Sequence, residues 1–200
     1  MSSRGPAGVS SQLLAAAVAV GLLSGCGSQS ATWTVSDSQR HNLAPVSFHF
    51  NYAPGLKRVA PDPGSYVKIE KMQGEALVES LAVSPLNLAG QHGLPTAYLP
   101  IYIERFRSQI ADRYPNARFV EDGRAKVNGL AGYQIFFLVA GAAPGGGELT
   151  GRVVLLPQYD LKKGVVLTAM AGQAAGFDRW TLLGDKGLLE TTFESFDFGS

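Results

Sequence analysis

Between residues 118 and 171 four apolar segments, 118–127, 131–140, 151–157 and 164–171, follow one another with connections of ten residues or fewer. A parallel pairing needs a crossover of about a dozen residues or more, so successive segments in this series must pair antiparallel. Asn128-Gly129 joins the first two, and both residue types tolerate the positive φ of a tight hairpin. Residues 142–149, with Pro144 and Gly145-Gly146-Gly147, form the next connection, and 160–163 join the last pair. Further upstream, 47–52 places Phe48, Phe50 and Tyr52 on one face and Ser47, His49 and Asn51 on the other, the period of a half-buried strand that Pro54-Gly55 ends. Segments 66–72 and 76–83, linked through Gln73-Gly74-Glu75, read as a further hairpin.

Helical spacing occurs in two places. Leu99, Ile103, Phe106 and Ile110 recur at four, three and four residues, while Glu104, Arg105, Arg107 and Asp112 occupy other faces. This helix opens near Pro95-Thr96, carries Pro100 in its first turns and stops at Tyr114-Pro115-Asn116. A closing helix is expected between residues 178 and 196, with Gly184 and Gly187 as potential breaks. The resulting fold class is α+β: an antiparallel sheet of about six to seven strands covered by two main helices. One sheet face hides beneath the helices and the other meets solvent, a ligand or a partner.

The chain has 200 residues, 46% of them hydrophobic and 16% charged, which suits one globular domain and excludes wholesale disorder. A formal charge of +1 leaves no excess to condense onto phosphates, so nucleic acid is not an expected partner. The amino terminus predicts an address. Arg4 precedes an unbroken apolar run, 13–23, that would cover only about 16 Å as a helix, well short of a bilayer core about 30 Å thick. It leads into Leu23-Ser24-Gly25-Cys26, which holds the chain's single cysteine and resembles the bacterial lipobox at every position. The resemblance implies that residues 1–25 are a lipoprotein signal peptide, that Cys26 is lipidated, and that the body faces outside the cytoplasm on a bacterial membrane. A plain secretory signal with a coincidental cysteine, or a buried thiol, is the alternative. Two acyl chains on Cys26 would anchor the protein stably. Residues 27–45, polar and without apolar period, read as a flexible tether reaching about 25 Å on average. Trp33 and Val35 within it dock back onto the body, meet the lipid interface, or do neither. The folded domain is then expected over 46–200.

An aromatic alternating strand, a hairpin, one amphipathic helix, a four-strand meander with an Asn-Gly turn and a closing Phe193-Glu194-Ser195-Phe196-Asp197-Phe198 together resemble the PsbP-like fold, shared by exported lipoproteins of the LpqN type. The resemblance covers about 44–200. It implies a non-catalytic accessory or binding module, and no family active site can be carried onto this chain.

Chemical signatures are few. His41, His49 and His92 stand in no spacing that would aim two nitrogens at one ion, so no metal site is expected. No G-x-S-x-G segment supplies a nucleophile elbow, and Gly145-Gly146-Gly147 lacks the Lys-Ser or Lys-Thr of a phosphate loop. No catalytic residue and no cofactor is assigned. Glu148, Arg152, Asp160, Lys162 and Lys163 read as solvated charge at strand ends, or as members of ion pairs or a partner contact. Tyr98, Tyr102, Phe177 and Trp180 lie on or beside the expected helices, where they either pack on the sheet or line a groove for an apolar or glycan ligand. The expected function is a lipid-anchored extracytoplasmic binding or accessory lipoprotein. Its partners are the membrane, through Cys26, and an envelope protein or apolar ligand. The rivals are an envelope enzyme, such as a hydrolase assembled only in three dimensions, and a purely structural surface protein.

Overall fold

The computed structural model describes residues 27–88, 95–143, 147–158 and 162–199. Along the chain lie β1 (Gln29–Trp33), α1 (Val35–Arg40), β2 (Phe48–Tyr52), β3 (Lys57–Val59), β4 (Val67–Gln73) and β5 (Ala76–Asn87). After these come α2 (Pro95–Arg113), β6 (Ala117–Val127), β7 (Leu130–Val139), β8 (Leu149–Pro157), β9 (Lys163–Ala171), α3 (Glu190–Ser195) and β10 (Asp197–Phe198). Two single 3-10 turns, Gln173–Ala175 and Trp180–Leu182, lie between β9 and α3.

Seven strands form one antiparallel sheet in the order β3-β4-β5-β9-β8-β7-β6, and a three-stranded sheet has the order β1-β2-β10. The expected α+β class with its large antiparallel sheet is what the chain adopts. Asn128 and Gly129 turn β6 into β7 with φ of 44° and 84°, the left-handed geometry that this dipeptide accepts most readily. Strand alternation then sends residues to two faces. Glu79, Leu81 and Val83 of β5, Val154 and Leu156 of β8 and Leu167 of β9 point to one face, here the sandwich face. Ile135, Phe137, Val153, Leu155 and Val166 point to the other, the helix face.

The sandwich face is covered differently from expectation. In place of a second long helix lie the three-stranded sheet, the six-residue α3 and the irregular segment before it. Gly184 and Gly187 explain the shortening, because φ of 88° and 81° there is incompatible with a continuing helix. Phe48 and Phe50 of β2 stack on Phe196 with ring centroids 5.6 and 6.1 Å apart, and Tyr66 meets Phe48 at 5.7 Å. Each ring fully withdrawn from water contributes about 1.5–3 kcal/mol.

The tether reading of 27–45 is corrected for most of its length. β1 pairs with β2 from Gln29↔Tyr52 to Trp33↔Phe48, and Ala31 and Trp33 are buried. Trp33 stands 5% exposed, donates its indole N–H to Ser38 Oγ at 2.8 Å and packs 5.4 Å from Tyr66. α1 follows directly behind a capping box, in which the Thr34 hydroxyl accepts from Asp37 N and the Asp37 carboxylate accepts from Thr34 N. The folded body therefore includes β1 and α1, upstream of residue 46. The lipobox and Cys26 lie outside the described residues. No helix among the described residues is long and apolar enough to cross a membrane.

Candidate functional site: a half-covered sheet face

α2 lies across the helix face over β6, β7 and β8. Leu99, Ile103 and Ile110 bury into that half with Phe106 half-buried beside them, as the four-three-four spacing predicts; Tyr102 is buried with them, and Ile101 points outward at 69% exposure. Among the described residues no helix lies over the other half of the face, above β4, β5 and β9. Its floor carries Ser80, Ala82 and Ser84 from β5 and Thr168 from β9, small side chains where a packed sheet would place Leu or Val. The step from the α2 half to this low floor is a groove of about 620 Å³, within the range of small-ligand sites.

The groove has two ends of different character. At one end Met72 and Leu77 of the β4–β5 hairpin, Met170 of β9 and Ile110 of α2 supply an apolar lining. At the other end Lys68 Nζ stands 3.5 Å from Asp62 Oδ1 and 3.8 Å from Glu70 Oε2, beside the turn Asp62–Ser65. Arg113 at the end of α2 lies 5.5 Å from the centre of the Tyr114 ring, so two cations and two carboxylates leave the lining neutral. The Ser80, Ser84 and Thr168 hydroxyls make no hydrogen bond to another described residue and open into the groove. A site of this composition can hold a ligand by apolar contact and fix it with hydroxyls.

Buried charge lies on the opposite, sandwich face. Glu79, 2% exposed, accepts the backbone N–H of Leu188 and of Leu189, each at 3.0 Å. Burial pushes its carboxyl above the ordinary 4.5, and the two N–H groups offset part of that rise. Arg152, 4% exposed, donates to Gln134 Oε1, Leu183 O and Asp185 Oδ1 at 2.8–2.9 Å between the rings of Phe136 and Phe193, 5.2 and 4.8 Å away. Together they pin 183–189 onto the sheet. The reading of Arg152 as solvated charge is thus corrected: strand alternation turns it inward, where the C-terminal segment covers it. Gly184 and Gly187 fit these pins, since a Cβ would lie 3.0 Å from Arg152 Nη1 at the first and would collide with Glu79 Oε1 at the second.

The other residues singled out in the sequence scatter. Tyr102 is buried beneath α2 and Tyr98 is half-buried beside the same cluster, whereas Trp180, 5.0 Å from Phe136, and Phe177 lie on the sandwich face. These four aromatics line no common groove. His49 is exposed on β2, His41 lies 5.4 Å from Trp33, and His92 falls outside the described residues, as do Asp160, Gly145 and Gly146. Glu148 and Lys162 are exposed, and Lys163 is half-buried at the start of β9. Among the described residues no three His, Cys, Asp or Glu side chains gather as they would around a metal ion. The groove floor escaped sequence reading, because Ser80, Ser84 and Thr168 occupy positions that alternation alone assigns to solvent.

No protein-family model matches the chain, and no curated protein matches its sequence. Solved structures share its shape. The chain is similar to the cyanobacterial PsbP (CyanoP) of Synechocystis sp. PCC 6803, with TM-score 0.53 and 17% identity over 90% of this chain and 99% of that one. The Ran-binding protein Mog1p of Saccharomyces cerevisiae matches at TM-score 0.48 and 10% identity over 86% of this chain and 96% of that one. The first of these likenesses supports a PsbP-like fold.

Proposed function

We propose that the protein is a lipid-anchored extracytoplasmic binding module, held to its membrane through Cys26, whose ligand seat is the groove on the helix face. The observation that carries the binding role is the uncovered floor of Ser80, Ser84 and Thr168 beside an apolar lining, with hydroxyls that no described residue engages. A fold optimised only for packing would fill that space, because an unfilled hollow forfeits contacts on every side. The envelope-enzyme alternative is less well supported. The buried carboxylate of shifted acidity, Glu79, lies across the sheet from the groove with both oxygens committed to backbone N–H groups. The anchor rests on the Leu23-Ser24-Gly25-Cys26 sequence.

Two measurements on protein extracted from its own membrane test this reading. Intact-mass analysis is expected to show an acyl addition on Cys26 and loss of membrane fractionation in Cys26→Ser; unchanged fractionation without acyl mass overturns the anchor. Native mass spectrometry is expected to detect a small molecule that Ser84→Phe with Thr168→Leu displaces. An identical ligand-free spectrum for both proteins overturns the binding role of the groove.

A further inference from the structure

The position of β1 decides how an anchored domain would stand on its membrane. Two residues, Gly27 and Ser28, separate Cys26 from Gln29, the first residue of a paired strand. Three Cα steps reach at most about 11 Å, so a lipidated Cys26 would hold one end of the domain directly at the headgroups.

Register identifies that end. Gln29 pairs with Tyr52, and from Tyr52 the chain passes through 53–56 into β3, where Lys57 pairs with Glu70. Gly55 rests on Leu188, to within 3.4 Å of an ideal Cβ, and Leu188 N is bound to Glu79 close to the β4–β5 turn. The strand ends at Trp33 and Phe48 lie at the opposite end, where Asn128 Nδ2 of the β6–β7 turn donates to Phe196 O at 3.2 Å. The Gln29 end thus gathers the 53–58 segment and the β4–β5 turn.

The side chains there suit a lipid surface. Met72 is 39% exposed beside the turn, an apolar group free to enter the interface, and the apolar end of the groove opens next to it. Lys57 and Arg58 are exposed, and neither has a carboxylate within ion-pair distance among the described residues. Cations within a Debye length of an anionic leaflet, about 8–10 Å, are attracted to it.

We propose that the 53–58 segment and the β4–β5 turn form a lipid-contacting face, with Met72 in the interface and Lys57 and Arg58 on anionic headgroups. This rests on lipidation of Cys26. It turns the apolar mouth of the groove toward the bilayer and the Asn128-Gly129 turn away from it.

The test uses the full lipidated chain on phosphatidylcholine vesicles with or without phosphatidylglycerol. Fluorophores are placed through Gln73→Cys or Asn128→Cys, and a nitroxide lipid labelled at the headgroup serves as quencher. Quenching at position 73 is expected to exceed that at 128 several-fold and to rise with phosphatidylglycerol. It should fall when ten Gly and Ser residues are inserted after Gly27, which extends the reach by about 18 Å. Lys57→Gln with Arg58→Gln should remove the phosphatidylglycerol increment alone. Equal quenching at both positions, with acyl mass present on Cys26, overturns the lipid-contacting face and leaves the anchor standing. Absence of the acyl mass overturns both. Quenching that ignores phosphatidylglycerol overturns the headgroup contact of Lys57 and Arg58.

Discussion

The two faces of the seven-stranded sheet are built from the same strands by the same alternation, yet they have been put to different uses. The sandwich face is closed by a small sheet, aromatic rings and two buried charges whose hydrogen bonds are met. The helix face is closed over β6, β7 and β8 and left low over β4, β5 and β9. The closed face and the proposed ligand seat are thereby separated by one sheet thickness, so that a residue and its neighbour along β5 meet different surroundings.

That separation can be broken from the sandwich side first. Phe50→Ala removes a ring with no solvent exposure from the centre of the aromatic cluster, and urea denaturation should show a loss of about 3–5 kcal/mol. Arg152→Ala leaves Leu183 O and Gln134 Oε1 without their donor, and a loss of about 2–3 kcal/mol is expected in the same assay. Release of 183–189 should appear as faster amide exchange at Leu188 and Leu189.

Glu79 sharpens the contrast through pH. Its folded carboxyl titrates above the unfolded value, so the folded state binds the extra proton between the two. Its contribution is therefore most favourable below about pH 4.5 and is lost as pH rises through the folded value. Glu79→Gln should flatten the stability profile across that window. A profile with unchanged slope would show that another group carries it.

The smallest effect belongs to the groove. Ser84→Leu fills open space above the floor, and its stability should lie within about 0.5 kcal/mol of the parent, while ligand occupancy falls. A large destabilisation would mean that the two halves of the helix face are not energetically distinct.

Much of this architecture is legible in the sequence, and the illegible parts have physical reasons. β2, the β4–β5 hairpin, α2 and the meander from β6 to β9 follow from period and turn chemistry, with β6, which buries only Val127, set by the Asn128-Gly129 turn. β1 offers only Ala31 and Trp33 as buried positions among Gln, Ser and Thr, too few apolar residues to stand out from a linker. The Thr34 to Asp37 capping box was the local sign that the segment is folded. β3 is three residues at a sheet edge, with Lys57 and Arg58 exposed, and carries no hydrophobic period. The groove is a relation between α2 and strands it does not cover, so no single stretch of sequence contains it. Arg152 reads as surface charge until the C-terminal segment is laid over it.

The small sheet has β2 in its middle, with β1 from the beginning of the described chain on one side and β10 from its end on the other. A polypeptide made from its amino end therefore has β1 and β2 waiting for the third strand while β3 to β9 are made. Until Phe196 arrives, Phe48 and Phe50 lack the ring that covers them. The small sheet and its ring cluster therefore cannot close before residues 196–198 have been made.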